Sequence, residues 1–216
     1  MVSLLTMSVE PVDPFAAIPT FPELTTERFV LREITIADAA WYRAHLTWPE
    51  TEQGQGMRGP KNLKEARALL RHAVTANFAE RSGITWGIAF KGEDKLLIGG
   101  CGFHEWNHAW RSAEIGYNLD PGSGGRGVMT EALTAILDFG FTRMGLNRVQ
   151  ATIMPRNERS LGLVERLGFV REGIMREHGT DENGEFVDDV LLALLRRAWR
   201  VSDRSSAPLC ARPPSR

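Results

Sequence analysis

The chain has 216 residues, 43% of them hydrophobic and 25% charged, with a formal net charge of −1. That balance suits one globular domain with an apolar core, and it lacks the basic excess of a broad nucleic-acid surface. Isolated Cys101 and Cys210 exclude a disulfide framework, no apolar run nears the ~20 residues of a membrane span, and the start at Met1 lacks a secretory basic stretch, so a cytoplasmic protein is expected.

Residues 1–23 carry Pro11, Pro14, Pro19 and Pro22 and are expected to form an extended or disordered lead. Residues 28–33 alternate and predict a first strand. Thr35 and Asp38 then form an N-cap pattern ahead of a helix over 39–46, and Asn62 and Glu65 cap a second helix reaching residue 78. Strands follow over 84–90, 95–103 and 113–119, with a tight turn at Glu93-Asp94 after Gly92. A glycine-rich turn leads into a helix over 128–144. Residues 147–154 read as a buried strand ended by Pro155, and 158–167 as a short helix with Gly168 as its C-cap glycine. Residues 169–176 and 186–195 read as a closing antiparallel pair around the turn residues 181–184. The domain is therefore placed at 24–201, and the Ser-, Pro- and Arg-rich end, 202–216, is expected to be a disordered tail. This order implies an α/β (α+β) fold, with antiparallel strands first and a helix crossover late.

The chemistry concentrates in Asp120-Pro-Gly-Ser-Gly-Gly-Arg-Gly-Val-Met-Thr-Glu131. Its glycines let the backbone turn tightly and approach a ligand. The helix that follows aims its unpaired N–H groups and the positive end of its dipole at that turn, which makes a phosphate-binding site. Arg126 adds a direct charge. Gly122, Gly124 and Gly127 also match the spacing of a dinucleotide fingerprint. That motif needs an acidic residue after the next strand for the ribose, but Ile153-Met-Pro-Arg156 has none, and the preceding strands read as hairpins. A Walker A motif fails because no Gly-Lys-Ser/Thr follows.

In this order the segments resemble the GNAT superfamily of N-acetyltransferases, and within it the branch of ribosomal-protein alanine N-acetyltransferases. Leu24 to Arg32 resembles that branch's opening strand, and Ala113-Glu-Ile-Gly-Tyr117 the strand before its cofactor turn. Gly125-Arg-Gly-Val-Met-Thr-Glu-Ala132 resembles its pyrophosphate loop, and Asn157-x-x-Ser160, Leu167-Gly-Phe169 and Glu172-Gly173 its C-terminal half. The likeness covers residues 24–199. Gly124 stands where the superfamily usually has Gln or Arg, and Met129 where it has Gly or Ala.

The resemblance implies a mixed, mostly antiparallel twisted sheet with a splayed central strand pair and flanking helices. It implies acetyl transfer from acetyl-CoA to an amine by direct attack, with no metal. Gly125, Arg126, Gly127, Val128, Met129 and Thr130 would hold the pyrophosphate, and Leu119 the pantetheine arm. Asn157 would bind that arm or cap its helix. Ser160 would donate to the leaving sulfur or serve only as a helix-terminal serine, and Glu114 is a base candidate or a half-exposed strand carboxylate. Glu177 is near the family's other base position without aligning to it. Trp41, Trp48 and Trp106, with Trp110 nearby, are candidate walls of an acceptor groove or ordinary packing residues. The acceptor is expected to be a peptide N-terminus or a small-molecule amine, not a nucleic acid or a membrane, and the enzyme a monomer or homodimer. A non-catalytic acyl-CoA sensor and a nicotinamide-dependent oxidoreductase are the competing readings. His104 and His108 are four apart in a stretch read as a loop, and the five histidines show no paired metal spacing.

Overall fold

In the computed structural model, residues 18–47, 59–71, 76–181 and 183–199 are described. The first alternating segment forms β2 (Phe29–Glu33), with Phe29, Val30 and Leu31 buried, and a short β1 (Leu24–Thr25) pairs with it. Thr35 caps the 3-10 turn that follows, and Asp38 completes a capping box before α1 (Ala39–Leu46). Asp38 also takes a bidentate pair from Arg32, at 2.7 and 2.9 Å. Burial opposes ionisation of this carboxyl, but the Arg32 and Thr35 hydrogen bonds outweigh it and hold its pKa below the usual value. Asn62 caps α2 (Leu63–Leu70) through Glu65 N, as expected. The second helix, expected to run unbroken over 62–78, continues after undescribed residues 72–75 as the single turn α3 (Ala76–Ala79).

The remaining elements are β3 (Ile84–Phe90), β4 (Leu97–Asn107), β5 (Ser112–Leu119), α4 (Val128–Thr142), β6 (Arg148–Ile153), α5 (Glu158–Arg166), β7 (Val170–Thr180) and β8 (Phe186–Leu195). Among the described residues they form one eight-stranded sheet in the order β1-β2-β3-β4-β5-β6-β8-β7, with β5–β6 as its parallel pair. This is the mixed, mostly antiparallel α/β architecture expected from the sequence. Two strands run longer than their patterns suggested. Around Trp106 and Asn107 the chain was expected to loop; it instead finishes β4, because the β4–β5 ladder resumes at Asn107–Ser112 across a register shift. β7 reaches Thr180 because a bulge, invisible to period-2 reading, interrupts its alternation.

Alternate faces of the sheet bury different helices. Trp86, Phe103, Ile115 and Val149 pack with α4 and α5 in the main core. Ile34, Ala39, Leu70, Ala89 and Leu97 form a smaller cluster with α1 and α2 on the other face. In α4, Leu133, Ile136, Leu137 and Phe141 are buried, each contributing about 1.5–3 kcal/mol, so packing more than propensity holds this helix. Gly140 lets α4 lie against β4: a Cβ there would sit 2.9 Å from Phe103 Cζ. The described end of the lead expected outside the folded unit, residues 18–23, is bound to it. Ile18 is buried, Phe21 packs edge-on against Phe78 and Trp86, and Trp86 Nε1 donates to Pro22 O at 2.6 Å. Among the described residues no helix is long and apolar enough to cross a membrane.

Candidate active site

The parallel pair β5–β6 is hydrogen-bonded only over Ser112–Glu114 and Arg148–Gln150. Beyond that point β5 continues to Leu119 on β4, and β6 continues to Ile153 on β8. The two strands thus diverge, and the β5 edge from Ile115 onward has no β6 partner. Glu114 sits at the apex of the splay. Its carboxylate accepts from Gln150 Nε2 at 3.1 Å and from Thr152 Oγ1 in a second hydrogen bond. A cavity of about 780 Å³ fills the gap, within the usual range for small-molecule sites. Leu119, Thr152, Asn157, Ser160 and His178 are among its lining residues.

The glycine-rich turn follows β5 directly. Gly125 and Gly127 have φ of 75° and 72°, in the left-handed region where a Cβ is strained. Gly127 is the N-cap of α4 and supplies no side-chain cap, and the first intrahelical bond runs from Glu131 N to Gly127 O. The N–H groups of Val128, Met129 and Thr130 precede it and have no carbonyl within the helix. The side chains of Val128 and Met129 are buried in the main core, so Met129, the larger residue at a usual Gly/Ala position, sends its bulk inward. Gly125, Arg126, Gly127 and Thr130 are exposed. Two cations frame the turn. Arg28 bonds Arg126 O at 3.0 Å and pairs with Glu131 at 2.7 Å, and a Cβ built at Gly124 would lie 3.5 Å from Arg159 Nη2.

Asn157 caps α5 by accepting from Ser160 N at 3.1 Å. The Ser160 hydroxyl is therefore not the cap; it lies 2.7 Å from Tyr117 Oη, where either oxygen can donate. Burial raises the Tyr117 pKa against the opposing effect of Ser160, so this phenol stays protonated at neutral pH.

A family model described as Acetyltransferase (GNAT) domain matches residues 28–170 of this chain. The chain belongs to the GNAT acetyltransferase family. The Uncharacterized N-acetyltransferase YoaA of Bacillus subtilis (strain 168) is 34% identical over 158 residues, 73% of this chain and 88% of its own length. The [Ribosomal protein uS5]-alanine N-acetyltransferase of Escherichia coli (strain K12) is 28% identical, covering 82% of this chain and 92% of its own. The structure of Mycobacterium smegmatis RimJ in complex with CoA-disulfide has the same fold, with a TM-score of 0.74 at 24% identity over 83% of this chain and 92% of that one. This GNAT domain is an acetyl-CoA-dependent N-acetyltransferase.

A second cavity of the GNAT domain, about 210 Å³, opens on the α1 side and shares His104, Gly116, Tyr117 and Asn118 with the first. Trp41 lines it, stacks on His45 with ring centroids 5.0 Å apart, and donates from Nε1 to Asp120 Oδ1 at 3.4 Å. Trp106 does not share this place: it is buried in the main core, stacks on His108, and lines neither cavity. The expectation that it walls an acceptor groove is corrected, because the extension of β4 turns it into the core. Trp110 is exposed, and Trp48 lies outside the described residues. The described residues include no group of three His, Cys, Asp or Glu placed to hold a metal ion.

Burial lowers the His45 pKa to about 4. An unfolded imidazole titrates near 6.5, so between pH ~6.5 and ~4 the unfolded chain binds a proton that the folded protein does not. Stability contributed by neutral His45 is thus present above that window and is lost as pH falls through it, by about 3 kcal/mol. Denaturant melts at pH 7 and pH 4.5 should show His45→Gln losing less stability on acidification than the wild type. An equal loss would remove His45 as the cause.

Sequence reading did not single out Arg28, Arg159, Tyr117 or the pair His178–Asp189. Tyr117 stood in a quoted motif, but no local signal brings its hydroxyl to a serine 43 positions away.

Proposed function

We propose that this enzyme acetylates the α-amino group of a protein N-terminus, in a ternary complex with acetyl-CoA. The observation that carries this reading is the splay of β5 from β6, where the large cavity adjoins the smaller one on the α1 side through His104, Gly116, Tyr117 and Asn118. On the α5 side, the backbone N–H groups of Gly125 to Thr130, with Arg126, would hold the pyrophosphate. Leu119 and Asn157 would line the pantetheine arm. On the α1 side, the adjoining cavity beside Trp41 would admit an extended chain end. The amine attacks the thioester carbonyl directly, and Ser160, held by Tyr117, would donate to the sulfur as it leaves.

The acceptor class is supported by chemistry as well as by likeness. An α-amine, with pKa near 8, is neutral in roughly one molecule in ten at pH 7, while a lysine amine is neutral in roughly one in a thousand. The E. coli relative is named for the alanine of ribosomal protein uS5. A ribosomal acceptor would place the enzyme in the cytoplasm.

The test is to mix the enzyme with acetyl-CoA and peptides that begin with Ala, Ser or Met, their N-blocked forms, free lysine and polyamines, and to follow thiol release and product mass. Modification of free peptide N-termini alone is expected. Acetylation confined to lysine side chains or small amines would overturn the α-amine reading.

A further inference from the structure

We propose that His178, oriented by Asp189, is the general base that takes the proton from the acceptor amine. Three observations converge on it. First, both residues line the large cavity at the splay, together with Ser160. Second, His178 Nδ1 lies 2.9 Å from Asp189 Oδ2. A carboxylate can only accept, so Nδ1 carries the hydrogen and Nε2 is left as the ring's proton acceptor. Asp189 is buried, which fixes the imidazole from behind, while His178 remains 41% exposed at its side chain.

Third, the chain is bent to put His178 there. Met175 pairs with Asp189 and Gly179 with Val187, so four steps along β7 match two along β8. Glu177 has a φ of 50°, a strained value for a residue with a side chain. Its N–H donates to Asp188 Oδ1 at 2.8 Å. Neighbouring side chains on a strand point to opposite faces. Asp188 therefore anchors the bulge backbone while Asp189 anchors the histidine ring. Bulges beside active sites commonly re-aim a side chain, and this one has two carboxylates to hold it.

Glu114, the base candidate from the sequence, has both carboxylate oxygens engaged by Gln150 and Thr152 and closes the apex of the splay. Glu177 is not among the residues lining the cavity, and its backbone N–H is tied to Asp188. In the reaction the nitrogen lone pair forms the C–N bond to the acetyl carbon while one N–H proton passes to His178 Nε2. The C–S bond breaks with its electron pair on sulfur. The sulfur gains one proton, delivered through the Ser160 hydroxyl or solvent, which balances the one that nitrogen lost.

The proposal rests on acetyl transfer taking place in the large cavity, not on which amine is the acceptor. Its test therefore uses whichever amine the wild-type enzyme acetylates best, so a small-amine acceptor would sink the α-amine reading and still test His178. His178→Ala should lower kcat by about 100-fold, a typical size for a lost general base, with the Kd for acetyl-CoA within about twofold. Added imidazole should restore part of the rate, which the loss of a merely structural contact would not allow. Asp189→Asn should lower kcat with little change in KM for acetyl-CoA. A His178→Ala rate near wild type, or a loss that imidazole leaves untouched while Glu114→Gln is equally inactive, would overturn the assignment.

Discussion

Ser160→Ala is expected to slow acetyl transfer by about 100-fold while leaving acetyl-CoA affinity within about twofold, a split that marks an interaction made in the transition state. The hydroxyl is a single oxygen at the first turn of α5, and removing it opens no large hole. Its backbone N–H stays capped by Asn157 Oδ1, so the helix start should survive. What is lost is the oxygen held at 2.7 Å from Tyr117 Oη, at the wall of the cavity where the thiolate would form. Tyr117→Phe should give a smaller drop in the same parameter, because Ser160 then keeps its proton but loses its orientation. Steady-state kinetics with calorimetric titration of coenzyme A reads both. An Ser160→Ala rate equal to wild type would leave the serine a bystander, and a matched loss of affinity would make it a binding residue.

Gly127→Val should weaken coenzyme A binding by about 10- to 100-fold. A residue with a Cβ pays roughly 1–2 kcal/mol in the left-handed region, and a β-branched one pays more. Gly127 holds φ at 72° at the N-cap, and its Cβ would come within 3.6 Å of Arg28 Nη2. To escape that strain the turn must rotate, which tilts the N–H groups of Val128 to Thr130 away from a bound phosphate. Each such charge-assisted hydrogen bond is worth about 1.5–3 kcal/mol. At saturating acetyl-CoA the turnover should recover most of its wild-type value, because the groups proposed to react lie elsewhere, on β5, α5 and the β7–β8 pair. Titration calorimetry with coenzyme A measures the affinity, and an unchanged Kd would show that the turn does not grip the phosphates.

The elements themselves were largely legible. The apolar spacing of 128–144 located α4, and the Asn157 and Asn62 caps marked two helix starts to the residue, because caps and periodicity are local chemistry. The glycine turn before α4 was legible for the same reason. The bulge in β7 was not. Nothing in Met-Arg-Glu-His-Gly announces two extra residues, since they arise from pairing with Asp188 and Asp189, which lie across the hairpin. The fate of Trp106 was likewise beyond reach: an aromatic residue in a polar stretch reads equally as a groove wall or as core, and only the continued ladder of β4 with β5 decides.

By itself, the sequence determined the order of strands and helices, the glycine turn with Arg126 at its tip, and the family these segments belong to. Those depend on residues within a few positions of one another. The tertiary structure alone decided which distant groups share the cavity. Ser160 meets Tyr117 and His178 is set on Asp189, while beside the cavity Arg28 ties the glycine turn, at Arg126 O, to Glu131 of α4. Each of these contacts depends on where β5 and β6 part or on how a neighbouring strand registers. Such long-range geometry follows from the packing of the whole sheet, which no local pattern encodes.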